Sequence, residues 1–480
     1  MDVCSAEEQS HAVTHPNRTV QTMSSTTEAT LDERAAKLRD ALGSRVILAG
    51  DPDYDVVRTP WNVAVDQRPF AVVTPESAEE VVAAVHAATA VGLRVAPQST
   101  GHGAAALADT DLSDAVLVRL TRLRGVTVHP EAEAAIVLGG SHWNDVLAAA
   151  APHGLTAPHG SAGDVSVAGY SLNGGVSFYS RAHGLAVNAV RSVQIVTADG
   201  ALVRASAHQN ADLFWAVRGG SGAFGIVVSL EIELLPYADV FAGMLLWDAE
   251  HTAAVSQAWA EWTASVPESV TSSLRVLHLP PLPELPPFLS GRSIVVIDGA
   301  VLESDARAEE LLRPLRDLGP EVDTFARIPV AGLVHVHMDP PQPTPAATRH
   351  RVLDALPAEA VAAFVAASTD PGLFVAELRH VGGAIARPVP GGGAVSAFAG
   401  EYIVHGIAVV PVPEAAVPAR GAVTAFVDAF EPWTGDALAL TFLDGGVDRE
   451  AGFGAALERL RALKEHWDPQ DVFAAGNPVA

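Results

Sequence analysis

Two glycine-dense segments hold the residues best suited to chemistry. The first reads Pro97-Gln98-Ser99-Thr100-Gly101-His102-Gly103. The second reads Gly160-Ser161-Ala162-Gly163-Asp164-Val165-Ser166-Val167-Ala168-Gly169-Tyr170 and runs on to Asn173-Gly174-Gly175. Successive small residues let backbone N–H groups converge on an anion, the geometry that cradles phosphates. Glycines this dense lose conformational entropy on folding, and they recur where a backbone must approach a ligand closely. Taken singly, each stretch also reads as an ordinary turn. His102 adds an imidazole to the first loop, a group that donates, accepts or bonds near neutral pH.

Further candidates lie in the second half of the chain. In Phe374-Val375-Ala376-Glu377-Leu378-Arg379-His380, strand alternation puts Glu377 and Arg379 on one face and His380 on the other. In Glu401-Tyr402-Ile403-Val404-His405, Tyr402 opposes His405. Tyr402, Arg379, His380 and His405 are therefore the catalytic candidates, each equally readable as a satisfied polar side chain until geometry is known. His335 and His337 share a strand face but have no third ligand, so no metal is expected. Gly220-Ser221-Gly222-Ala223-Phe224-Gly225 fits G-x-G-x-x-G, yet a dinucleotide fingerprint needs a strand before it and a helix after it. Here a helix capped by Asn210 precedes it and the strand Ile226 to Leu235 follows. It reads as a helix-to-strand turn.

A chain of 480 residues exceeds what one core usually serves, and two domains are the natural expectation. Apolar residues at 49% suffice for large cores without staples. Cys4 is the single cysteine, which excludes a disulfide framework, a cysteine-ligated zinc site and a cysteine nucleophile in the folded body. That usage suits a reducing compartment, and a cytoplasmic location is expected. A net charge of −26 repels nucleic acid and anionic membrane surfaces, so neither is an expected partner. No apolar run approaches the roughly 20 residues that cross a bilayer. Residues 1–30 are polar, lack a signal-peptide core and read as a disordered tail, in which Asn17-Arg18-Thr19 is an idle glycosylation match.

The elements that must position these groups fall into three regions. Residues 31–237 alternate short strands with Ala-rich helices. Thr74-Pro75 opens one helix, Ser77 and Glu80 form a capping box, and Val81, Val85 and Ala88 share its face. A strand from Leu93 to Ala96 feeds the first glycine loop. In residues 238–435, a helix from Thr252 to Val266 precedes an extended, Pro-rich connection at Pro280, Pro281, Pro283, Pro286 and Pro287. Strands at Ser293–Val301, Phe374–His380 and Glu401–Val409 are separated by helices at Asp305–Leu318, Ala358–Ala367 and Pro413–Phe430. Such segregation predicts an α+β domain with an antiparallel sheet covered on one face. In residues 436–480, Leu457, Leu460, Leu463 and Trp467 make a helix that Asp468-Pro469 ends.

The order and spacing of these stretches resemble a known family. Arg68 through Pro75, the two glycine loops, His183-Gly184-Leu185-Ala186-Val187-Asn188, Ile195-Val196-Thr197-Ala198-Asp199-Gly200, Asp212 through Gly220, and Asp468 through Asn477 are similar to the vanillyl-alcohol oxidase / p-cresol methylhydroxylase superfamily. The resemblance is to its berberine-bridge-enzyme-like branch, in pattern nearest the 6-hydroxy-D-nicotine oxidase type. It covers most of residues 60–235 and the C-terminal end. It implies a two-part FAD-binding domain, made of two α+β subdomains, with the C-terminal segment returning to it. An α+β substrate domain completes the fold. FAD would be held by Pro97, Gln98, Ser99, Thr100, Gly101, Gly103, Ser161, Gly163, Asp164, Val167, Gly169, Tyr170, Gly174, Gly175, Gly184, Val196 and Asn477. His102 would bond covalently to the flavin 8α-carbon. The implied reaction moves a hydride from a small-molecule C–H beside nitrogen or oxygen onto flavin N5, with dioxygen as acceptor. A flavin-binding protein without turnover, and a dehydrogenase using another acceptor, are the alternatives. Oligomeric state is not legible.

Departures from the family pattern narrow this. Where many relatives have a second tethering cysteine, this chain has Asp164, so the resemblance implies one tether only. Where sugar-oxidising relatives carry a Tyr-x-Asn-Phe/Tyr run, it reads Ala439-Leu440-Thr441-Phe442, without a tyrosine base. Ser99-Thr100-Gly101 stands in for Ser-Gly-Gly, and the Thr100 hydroxyl can donate to a phosphate.

Overall fold

The computed structural model describes residues 30–281, 283, 286–442, 445–446 and 449–479. The expected tail therefore lies outside the described residues except for Thr30. That residue starts the fold: its hydroxyl accepts from Glu33 N–H while the Glu33 carboxylate accepts from Thr30 N–H, a capping box on the helix Leu31–Leu42.

Three sheets organise the α+β chain. The first has four strands in the order Val46–Leu48, Ala71–Val73, Ala115–Arg119, Arg94–Gln98, the last two pairings parallel. The helix Ala78–Ala90 packs Val81, Val85 and Ala88 onto it. Its start differs from expectation. Pro75 lies before the first turn, and only half of the capping box forms, because the Glu80 carboxylate takes the Glu76 N–H instead of Ser77's.

The second sheet is antiparallel, in the order Val126–His129, Ala134–Leu138, Ile226–Glu233, Val190–Val196, Leu202–Ser206. The helix Ala211–Gly220 leads through a short turn into Ile226–Glu233, as the reversed context required. Asn210 is not a side-chain cap. It sits in the left-handed region, and its amide donates to Arg204 O.

The third sheet is the largest. Its path runs Val322–Asp323, Asp239–Asp248, Ser293–Val301, Val270–His278, Val375–His380, Tyr402–Val409, Ala346–Leu353, all antiparallel. Helices Thr252–Thr263, Asp305–Arg316, Ala358–Ala367 and Ala416–Asp428 cover one face around Trp247, Trp259 and Phe426. The other face turns toward the glycine loops. The Pro-rich stretch lies between two neighbouring strands, in which Val270 pairs with Val301 and His278 with Ser293. Nor do His335 and His337 share a strand, since His335 ends the 3₁₀ turn Val330–His335.

The C-terminus returns to the first sheet. Val95 N–H donates to Val472 O, and Ala474 N–H donates to Val95 O. Asp468 fixes this return by accepting from Lys464 Nζ at 2.6 Å and from the N–H groups of Val472 and Phe473.

Candidate functional site

A cavity of about 730 Å³ opens between the glycine loops, the C-terminal residues Ala475 to Asn477 and the uncovered face of the large sheet. The strand Arg94–Gln98 delivers the first loop to its rim. Gly101 turns this loop at φ +85°, and a Cβ there would lie 2.6 Å from the Pro60 side chain. Only glycine permits both the turn and the contact. That contact brings Trp61 over His102: the rings stack with centroids 4.2 Å apart and 18° between planes.

His102 is held on every side. Thr100 Oγ1 lies 2.9 Å from Nδ1. Nε2 faces Asp164 Oδ1 at 3.3 Å without the alignment of a hydrogen bond. The Trp61 indole N–H donates to the other Asp164 oxygen at 2.7 Å. Burial alone would raise the Asp164 carboxyl; the His102 ring and the Trp61 N–H outweigh it and keep it below its ordinary value. Asp164 thus accepts from Trp61 and sets a negative charge beside the loop histidine.

Several cavity-lining polar atoms are buried without partners: Gln98 Oε1, Ser99 Oγ, Tyr170 OH and Asn477 Oδ1. An unmet buried group costs roughly 1–3 kcal/mol, so a ligand with donors and acceptors along its length matches this wall. The donor set suits a dinucleotide, with small residues where phosphates would lie and amides and hydroxyls beyond.

The loop residues expected from sequence divide cleanly. Pro97, Gln98, Ser99, Thr100, Gly101, His102, Gly103, Ser161, Gly169, Tyr170 and Asn477 line the cavity. Gly163, Asp164, Val167, Gly174, Gly175, Gly184 and Val196 stand outside that lining. Gly163 packs on Asn144, Val167 and Val196 are buried core, and Gly175 donates its N–H to Thr441 Oγ1. Sequence reasoning missed Trp61, Ser221, Gly222 and Gly225, which also line it. The last three belong to the G-x-G-x-x-G run. It is a helix-to-strand turn, as expected, but it also forms part of this wall.

The far wall belongs to the large sheet. Arg379 donates to Glu377 Oε1 through Nε at 2.9 Å and Nη2 at 2.8 Å. The same Nη2 donates to His337 Nε2 at 3.1 Å, so His337 carries its proton on Nδ1 and gives it to Asp298. Asp298 in turn pairs with Arg275 Nη2 at 2.6 Å. Across the adjacent strand, His405 Nδ1 lies 3.3 Å from Glu377 Oε2. A carboxylate only accepts, so Nδ1 carries the donated proton, and in the neutral ring Nε2 holds the lone pair. Burial pushes the Glu377 carboxyl up, but Arg379, His405 and His337 overcome it and hold it well below the ordinary range. Asp298 is likewise kept low by Arg275 and His337 against its burial. Phe442 closes this wall, its ring 5.1 Å from His405 and 5.4 Å from the Arg379 guanidinium carbon.

Of the four catalytic candidates, Arg379 and His405 line the cavity, and Tyr402 and His380 do not. The correction is one of strand parity. Tyr402 and His380 are cross-strand partners on the helix-covered face, stacked at 5.3 Å. The Tyr402 hydroxyl is 2.9 Å from Thr263 Oγ1. His380 bonds Arg181, and burial with that cation lowers it to about 2, so it stays neutral. Glu377, noted in the sequence only for its strand face, sits at the centre instead. Among the described residues no cluster of three or more His, Cys, Asp or Glu is arranged to hold a metal, and no helix is long and apolar enough to cross a membrane.

Comparison with known proteins gives this arrangement its context. Residues 69–206 match the FAD binding domain family. The xylooligosaccharide oxidase of Thermothelomyces thermophilus is 38% identical over 176 residues, 36% of this chain and 35% of that protein. The chain spans between a third and about half the length of the curated relatives it matches. Solved structures share the fold along nearly the whole chain. Physcomitrella patens BBE-like 1 has a TM-score of 0.80 at 23% identity, covering 94% of this chain and 99% of that one. The 6-hydroxy-D-nicotine oxidase of Arthrobacter nicotinovorans has a TM-score of 0.76 at 22% identity, covering 91% and 97%. The chain thus carries an FAD binding domain at residues 69–206 and shares, along nearly its whole length, the fold of a BBE-like protein and of 6-hydroxy-D-nicotine oxidase.

Proposed function

We propose that the chain is an FAD-linked oxidoreductase that oxidises a small molecule at a C–H bond beside oxygen or nitrogen and returns the electrons to dioxygen. The observation that carries this reading is continuity: one cavity joins the glycine loops to the Glu377–His405 pair. FAD, when bound, supplies the two-electron redox chemistry that side chains lack. The chain's own residues supply the rest.

The Ser99–Gly103 turn and the Ser161 loop would hold the phosphates of FAD, and His102 would be its single covalent tether. Trp61, Thr100 and Asp164 hold its ring in place. His405 Nε2 takes the proton that leaves the substrate heteroatom. Glu377 stabilises the resulting imidazolium, and Arg379 keeps Glu377 ionised. Phe442, packed against His405 and Arg379, keeps water from this end. The name borne by the xylooligosaccharide oxidase supports the oxidase reading.

The test is direct. Purified protein should be yellow, lose its visible absorbance anaerobically when given a substrate, and regain it in air with release of hydrogen peroxide. Protein that stays colourless after incubation with FAD contradicts the proposal. Reoxidation by a dye and not by air would replace dioxygen with another acceptor.

A further inference from the structure

The strand register divides the cavity-facing side of the large sheet into two rows. Ile294 pairs with Leu277, Leu277 with Val375, and Val375 with Ile407, giving an unbroken apolar row. Two residues along the same strands, Arg275 pairs with Glu377, and Glu377 with His405, giving a charged row. All seven side chains line the cavity. Alternate residues on a strand are about 7 Å apart, so the rows lie one small-molecule width from each other. Leu279 and Leu289, carried by the Pro-rich hairpin loop, extend the apolar side. The reacting group and the body of a ligand therefore meet different chemistry.

We infer that the substrate is an alcohol with an apolar body: its hydroxyl addresses His405 and its hydrocarbon part covers the Ile294–Leu277–Val375–Ile407 row. The inference rests on the flavin-linked reading above. In the charged row both carboxylate partners of the network are already ion-paired, Glu377 with Arg379 and Asp298 with Arg275. Within this network the imidazole Nε2 of His405 is available to accept a proton, which is what an alcohol must give up and a neutral amine need not. A sugar bears a hydroxyl on nearly every carbon. Laid over the aliphatic row, it would strand hydroxyls without partners, each weakening binding roughly tenfold.

The step balances. The alcohol O–H proton moves to His405 Nε2, the C–H hydrogen leaves with its bonding electron pair to reduce the flavin, and the carbonyl forms. Dioxygen then takes two electrons and the two protons, one from His405 and one from the reduced flavin, and leaves as hydrogen peroxide.

The experiment is an anaerobic bleaching series on flavin-loaded protein, read as the rate of flavin reduction. The probes are the straight-chain alcohols from butanol to octanol, cinnamyl alcohol, xylobiose and cellobiose, with dithionite as the control reductant. Alcohols should bleach the flavin, with kcat/KM rising about fourfold for each added methylene, while neither sugar does. Ile407→Asn should lower kcat/KM for octanol about tenfold or more and leave the flavin spectrum and dithionite reduction as they were. Bleaching by sugars in preference to alcohols overturns the inference. So does silence from every alcohol in a protein whose flavin dithionite still reduces, and that outcome leaves the flavin reading standing. A protein that takes up no FAD overturns both.

Discussion

The Trp61 indole lies flat on the His102 imidazole, 4.2 Å away, while its own N–H is bound to the carboxylate that faces the same imidazole. One aromatic residue thus fixes both the plane of the loop histidine and the group that polarises it. Neither contact is local in the chain, since Trp61 and Asp164 are separated by 103 positions.

If His102 is the tether, His102→Ala should leave all flavin extractable into acid supernatant. Wild-type protein should keep a fluorescent flavin band through denaturing electrophoresis. An intact covalent adduct in the variant would assign the bond to another side chain.

Asp164→Asn removes the carboxylate facing Nε2 and keeps the shape. The rate of covalent flavin incorporation into apoprotein should fall about ten- to a hundredfold, the loss of one charge-assisted contact. Unchanged incorporation would make Asp164 a loop-packing residue.

Glu377 links catalysis to stability. Glu377→Gln leaves the partly buried, cavity-lining Arg379 without its carboxylate partner, a cost of about 1–3 kcal/mol. The pH sign follows from the depressed folded values of Glu377 and Asp298. Their contribution is complete above the unfolded carboxyl value, about pH 4, and is lost as pH falls from there through the folded values. Melting temperatures taken from pH 7 to pH 3 should drop steeply at the acid end for wild type and less for Glu377→Gln; superimposable slopes would refute the assignment.

His405→Gln tests the base without stranding a charge. Flavin reduction should slow by about 10²–10⁴-fold, with FAD content unaltered. A change confined to KM would make His405 a binding group.

Tyr402→Phe should do little to turnover, because the hydroxyl points at Thr263 under the helices. One buried hydrogen bond of about 0.5–1.5 kcal/mol is lost, visible as a modest fall in melting temperature. A collapse of flavin reduction would place Tyr402 back in the chemistry.

What was legible in the sequence was whatever local rules control. Strand alternation separated Glu377 and Arg379 from His380, because side chains on a strand point to opposite faces by covalent geometry. The helix before Gly220–Gly225 and the strand after it were enough to exclude a dinucleotide fingerprint, and the small residues of Ser99–Gly103 marked a backbone that comes close to a ligand. Which strand face looks into the cavity was not legible. Both faces of Tyr402–Val409 carry polar groups, and only the packing of Trp259 and Phe426 beneath the sheet decides that Tyr402 turns inward and His405 outward. Trp61 over His102, Asp164 beside it and His405 on Glu377 are contacts between segments far apart in the chain. Such contacts exist only once the sheets and the returning C-terminus bring those segments together, and burial then gives each pair the low-dielectric setting that makes a short distance count.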